Sequence, residues 1–236
     1  MAHSIRRLGI CAVVVLSFGL GSTAGANFIA NPDFEIVDGR IGEVRGKALD
    51  SLSSGRWDVY DELPGGWYTS DGNGIEVEFD GTVVDAFSGN HYIELDSHPK
   101  PGSNSAMSQD IVLDADDYLL EFAYRPRTKT AGDNGIRVLF GGVEVAFVDG
   151  VAGPGIDWET ISVDLGGIAA GEHTLTIAAV GLENSLGGFV DTFSLTRSIG
   201  DDGGPQLETA TPEPTAALVF SAGLVVAGAV SRRRRD

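Results

Sequence analysis

Cysteine is almost missing from this chain. The single one, Cys11, follows Ile10 inside an apolar run. A lipoprotein cysteine stands after such a run, behind a small residue, so lipidation is not expected. Everything past residue 26 is free of thiols, which excludes disulfides, thiol nucleophiles and zinc–thiolate sites there. Stability must then come from a packed core. Histidine is scarce as well: His91, His98 and His173 are far apart and lack the H-E-x-x-H spacing of a zinc hydrolase. Walker, Rossmann and G-x-S-x-G patterns are absent. Positive charge is the third shortage. The whole chain carries 16 Lys and Arg against 34 Asp and Glu. Arg6, Arg7, Arg232, Arg233, Arg234 and Arg235 lie outside residues 27–210, as do Glu213 and Asp236. That leaves 10 basic against 32 acidic residues between them, a net of −22. This sign excludes nucleic acid and anionic lipid as natural partners of the middle of the chain. It suits calcium, high salt or plain solubility.

Long apolar runs occur only at the two ends. At the first, Arg6-Arg7 precedes an apolar stretch from Leu8 to Leu20, and Ala24-Gly25-Ala26 supplies an A-x-A cleavage site. This is the pattern of a secretory signal peptide over residues 1–26, with Ala24 and Ala26 at the cut. At the other end, Pro212-Glu213-Pro214 leads into an uncharged run from Thr215 to Ser231, and four arginines follow. Arginine resists translocation, so the cluster marks the cytoplasmic side of a membrane stop. The apolar helix is short. Its fifteen residues, Ala216 to Val230, span roughly 22 Å, against about 30 Å of hydrocarbon. It is also rich in small residues, which suits a temporary anchor.

The order of these features, Pro212-Glu213-Pro214, apolar helix, Arg232 to Arg235, resembles the PEP-CTERM sorting signal of Gram-negative bacteria over residues 212–236. The resemblance implies an exosortase as sorting partner and an inner-membrane-anchored precursor. The mature protein would then reach the cell surface or extracellular matrix. An ordinary tail anchor is the plainer alternative. An acidic, glycine-rich linker occupies residues 199–211, which leaves residues 27–198 as one domain large enough for a sizeable core.

That domain reads as β throughout. Ile75, Val77 and Phe79 alternate with Glu76 and Glu78. Tyr118, Leu120, Phe122 and Tyr124 alternate with their neighbours in the same way. Further runs at 91–95, 107–113, 136–140, 143–148, 160–165, 173–180 and 189–195 are separated by glycine and aspartate. Period-two alternation with such punctuation predicts an all-β sandwich of nine or ten strands, a jelly roll. Gly141-Gly142 between two apolar runs predicts a two-residue hairpin turn.

Ordered segments through the domain carry a second resemblance. They are Asn31-Pro32-Asp33-Phe34-Glu35, Leu63-Pro64-Gly65-Gly66-Trp67, Gly89-Asn90-His91-Tyr92-Ile93-Glu94-Leu95-Asp96, Tyr118 to Arg127, and Gly188-Phe189-Val190-Asp191. Together they resemble the galactose-binding-like jelly rolls that include many carbohydrate-binding modules. The stretch from Gly39 to Arg56 is longer than that pattern expects. The resemblance implies a non-catalytic module for extracellular polysaccharide. It also implies a structural calcium held between Glu35 and Asp191, whose alternative is two carboxylates that pair with arginines or cap backbone groups.

A sugar site needs an aromatic platform beside convergent polar groups. Trp67, Tyr68, Tyr92, Tyr124 and Trp158 are candidates for the first. Arg125, Arg127, Asn134 and Asn184 are candidates for the second. Of these, Trp67, Tyr92, Tyr124, Arg125, Arg127 and Asn184 form the expected carbohydrate site. Such aromatics serve equally well as sandwich core, and the arginines could simply offset acids. Glu76 with Glu78, and Glu94 with Asp96, form same-face carboxylate pairs. Close carboxylates can cleave glycosides, but nothing here sets a catalytic separation, so an enzyme is not expected. A structural surface or biofilm protein without a sugar pocket is the leading alternative; a polysaccharide hydrolase is the second.

Overall fold

The structure is a computed structural model in which residues 25–38, 48–99 and 101–198 are described. All belong to one unit, Met1–Ile199. Most of the signal segment with Ala24, the linker, and the tail with Pro212, Glu213, Pro214 and Arg232 to Arg235 lie outside the described residues. No helix among the described residues is long and apolar enough to cross a membrane.

Twelve strands build the domain. The first six are β1 (Trp57–Tyr60), β2 (Glu62–Leu63), β3 (Trp67–Asp71), β4 (Ile75–Phe79), β5 (His91–Glu94) and β6 (Ala106–Leu113). The rest are β7 (Asp116–Arg125), β8 (Gly135–Phe140), β9 (Val143–Val148), β10 (Glu159–Ile168), β11 (Gly171–Val180) and β12 (Phe189–Arg197). They form two six-stranded sheets, in the orders β1-β4-β5-β12-β7-β10 and β2-β3-β6-β11-β8-β9. Every paired neighbour is antiparallel. The all-β sandwich expected from the alternation is the architecture observed. β8 and β9 turn at Gly141-Gly142, where both residues have positive φ, 57° and 78°. Such a turn follows the right-handed twist of its strands and favours glycine, which takes positive φ without strain.

Alternation explains the core. Ile75 and Val77 of β4, Leu120, Phe122 and Tyr124 of β7, and Val190 of β12 point inward from the first sheet. Met107, Ile111, Val138, Leu175 and Ile177 meet them from the second. Phe193 is turned inward by a bulge: the β12 register shifts between Asp191 and Ser194, and Thr192 takes φ 44°. One extra residue reverses the parity of the strand. Phe193 then stacks on Phe122 at 5.5 Å and 17°, and packs against Trp67 at 5.7 Å. The N-terminal segment runs beside β12. Phe28 donates to Leu195 O, Phe193 donates to Pro32 O, and the Asn27 side chain bonds both Phe193 and Leu195.

Two features depart from the sequence expectation. Strands β1 to β3 were not anticipated, because Asp58, Ser70 and Asp71 break the apolar alternation there. They complete one edge of each sheet. The outer face of the first sheet is also covered at its centre. Glu76, Glu78, Glu94 and Asp96 sit on that face, yet none is more than 1% exposed. The long segment after Gly39 is packed where it is described. It makes one 3-10 turn, Leu49–Ser51, and buries Leu49 and Leu52 in the core.

Candidate functional site

The covered face holds the least ordinary chemistry of the molecule. β4 and β5 are neighbours, with Glu76 opposite Glu94 and Glu78 opposite Tyr92. Glu76, Glu78 and Glu94 each bring a carboxylate oxygen within 4.8 Å of the others. The charge that answers them is Arg127, just beyond β7. Its Nη1 donates to Glu94 Oε2 and lies 3.8 Å from Glu78 Oε1. The guanidinium also stands 5.6 Å from the Phe189 ring centre. Arg127 already supplies a cation in this space, so the set is an ion-pair cluster rather than a metal cage. One guanidinium does not balance three carboxylates in a dry setting, and protons make up the difference. Burial pushes Glu76 up to about 8, with Glu78 and Asp96 adding to the rise and the His98 N–H and Arg127 opposing it. Burial raises Glu78 and Glu94 too, with Arg127 opposing the rise in both. Tyr92 Oη donates to Glu78 Oε2 at 3.0 Å and accepts the N–H groups of Val83 and Val84.

A solvent-open cleft lies beside this cluster. Its volume is about 550 Å³, and Asp85, Ala86, Phe87, Arg125, Gly155, Ile156, Asp157 and Trp158 line it. Phe87 is 45% exposed and meets Trp158 edge-on at 6.1 Å. Trp158 is held from three sides. Its Nε1 donates to Asp85 O at 2.8 Å, its backbone N–H donates to Asp157 Oδ1 at 2.8 Å, and its ring rests on Tyr92 at 6.0 Å. Arg125 Nη1 donates to the same Asp157 oxygen at 3.0 Å. A fixed indole thus stands next to a guanidinium–carboxylate pair. A second hollow of about 510 Å³ continues past Trp158 towards Pro126 and Val151. The arrangement can stack an apolar face and bond several hydroxyl groups at once.

No family profile and no curated protein matches this chain by sequence. Solved structures do resemble it, and several are carbohydrate-binding modules. The module TmCBM61 in complex with β-1,4-galactotriose is 19% identical at a TM-score of 0.43, over 73% of this chain and 99% of that one. A CBM35 from Paenibacillus barcinonensis is 16% identical at 0.38, over 56% and 94%. An arabinose-bound α-L-arabinofuranosidase, MgGH51, is 14% identical at 0.44, over 72% of this chain and 26% of that one. The likeness is one of strand arrangement, and what the cleft can hold follows from its own side chains.

The residues singled out in sequence scatter widely. Trp67 is not a platform. It is fully buried between the sheets, and Nε1 donates to Ala30 O and Asn31 O. Tyr92 and Tyr124 are also fully buried. Tyr124 Oη donates to Asn134 O and accepts Gly150 N–H. All three are excluded from stacking on a ligand by their position on strands under cover. Arg125 does face a cleft, and Arg127 instead enters the glutamate cluster. Asn184 holds its loop, donating to Asp133 Oδ1 from its side chain and to Asp96 Oδ2 from its backbone. Asn134 likewise fixes the turn after β7. Tyr68 lies at the surface with its hydroxyl on Asp110.

Glu35 and Asp191 serve one loop from two places. Glu35 Oε1 accepts the N–H of Asn90 and of His91, both at 2.7 Å. Asp191 Oδ2 accepts Phe87 and Ser88 N–H, and Oδ1 accepts Thr192. Calcium wants six to eight oxygen atoms, whereas these carboxylates face N–H donors. The residues in this arrangement do not fit a calcium shell; they fit the capping role. Burial, against those N–H bonds, lifts Asp191 to about 7.

Sequence reading missed Phe87, Asp85, Ile156 and Asp157. The signal was faint: an aromatic in a loop before Ser88-Gly89, and Ile156-Asp157-Trp158 just after Gly153-Pro154-Gly155. Large apolar residues stranded between turn residues have no strand face to bury.

Proposed function

We propose that this chain is an exported, non-catalytic module that binds extracellular carbohydrate in the cleft between Phe87, Trp158 and the Arg125–Asp157 pair. The observation that carries this is the half-buried, pinned indole of Trp158, which lines the open cleft beside that pair. A pyranose has an apolar C–H face and a rim of hydroxyls. It needs a rigid aromatic surface with a planar, two-pronged hydrogen-bonding group at its edge. Glu76, Glu78 and Glu94, at 0–1% exposure, cannot reach a glycosidic bond, and in the cleft Asp157 is engaged by Arg125. The tail supports export and sorting by an exosortase, through an inner-membrane-anchored precursor of a Gram-negative cell, to the surface or matrix.

A glycan array followed by titration calorimetry tests the binding. Trp158→Ala and Arg125→Ala should each lower affinity tenfold or more, which is about 1.4 kcal/mol, with the fold intact by circular dichroism. Saturable binding that survives both substitutions would move the site elsewhere. An array blank for the unaltered protein would favour the structural-protein reading.

A further inference from the structure

We propose that the Glu76–Glu78–Glu94–Arg127 cluster is a proton-operated latch, which holds the segments after β5 and before β12 down on the outer face of the first sheet and releases them when its shared protons leave. Both segments are attached through the glutamates themselves. His98 donates its backbone N–H to Glu76 Oε2 at 2.7 Å, and its ring Nδ1 lies 3.0 Å from the same oxygen. Gly187 donates to Glu94 Oε1 at 2.6 Å. Arg127 joins the two sides, reaching Glu94 and, at 3.5 Å, the Ser185 carbonyl. Asp96 continues the same clasp by accepting Asn184 and Leu186 N–H.

The charged and titratable groups facing the cluster come from four elements. β4 brings Glu76 and Glu78, and β5 brings Tyr92 and Glu94. Asp96 and His98 follow β5, and Arg127 follows β7. The segment before β12 contributes backbone groups, its exposed Glu183 being turned to Gly102 N–H. Glu76, Glu78 and Glu94 therefore share one guanidinium, with the His98 imidazole on Glu76. Carboxylates this close and this dry cannot all ionise together without separating. Hydrogen bonds to Glu76 and Glu94 hold the segments only while the carboxyls stay packed, and repulsion between the fully ionised groups would drive them apart.

The sign follows from linkage. Glutamates raised above their ordinary value of 4.5 bind more protons folded than unfolded. Their contribution to stability is complete below that value and is lost as pH rises through about 8, where Glu76 titrates. The latch therefore loosens on the alkaline side, opposite to acid denaturation. Tyr92 carries the change outward, since its hydroxyl bonds Glu78 and its ring supports Trp158. The latch does not depend on what the cleft binds.

Hydrogen-exchange mass spectrometry on the purified chain tests this, after correction for intrinsic exchange rates. Protection in peptides covering 95–99 and 183–188 should fall tenfold or more between about pH 6 and about pH 9.5, while β6 and β11 keep theirs. Glu78→Gln should flatten that profile, and Glu76→Gln serves if the first variant folds poorly. A flat profile in the unaltered protein overturns the latch, whether or not either variant folds. So does an unchanged fall in the glutamine variants. A profile that responds to added calcium or chelator instead of to protons would make the cluster a cation site and overturn it as well.

Discussion

Tryptophan shows how little a residue's identity says about its role. Trp67, after Pro64-Gly65-Gly66, has the look of a surface platform, yet it fills the space between Phe34 and Phe193. Trp158, at the end of an irregular loop, is half-buried and lines the open cleft. The difference is positional. Trp67 begins β3 on its inward face, whereas Trp158 ends a loop whose backbone turns it over Tyr92. Trp67→Ala should therefore cost about 3–5 kcal/mol, read as a lower midpoint in urea, and should leave the isolated cleft chemistry unaltered in whatever fraction stays folded. Glutamate gives the same lesson. Glu76 and Glu78 alternate with apolar residues as solvent-facing acids do, and alternation places them on the outer face correctly. What it does not say is that loops from distant parts of the chain cover that face.

Strands were legible where both faces obey the period of two, and β4 to β12 fall close to their expected bounds. β1 to β3 were not: none is longer than five residues, and β1 and the β2–β3 pair lie at the margins of their sheets, where register holds them. The loop between β4 and β5 is the element that most needs outside support. It is clasped by Glu35 on one side and Asp191 on the other. Gly89 makes the close approach feasible: its φ is +63°, and a Cβ there would lie 2.4 Å from the Glu35 carboxyl carbon. Since N–H groups already engage Glu35 Oε1 and both oxygens of Asp191, a chelator should leave the melting temperature unchanged within error. A drop of several degrees that calcium restores would show that the loop is rebuilt around an ion.

At the scale of the molecule, the proposed sorting would carry an acidic sandwich outward and remove its tail on the way. Intact mass measured from the native host, with and without its exosortase, should give a mature form lacking the residues after Pro214 only when the enzyme is present. A full-length form held in the inner membrane in both strains would leave the tail an ordinary anchor. The sequence by itself determined the all-β class, the places of nine strands, the inward faces of β4 and β7, the Gly141-Gly142 turn and the absence of thiols past residue 26. These are local properties: alternation, turn geometry and composition act over a few residues. The tertiary structure alone decided which aromatics are core, that Arg125 and Arg127 part company, and that three glutamates and a guanidinium share one dry space. Those facts depend on which loops cross which face, and segments some ninety residues apart, such as Glu94 and Gly187, meet only when both sheets are in place.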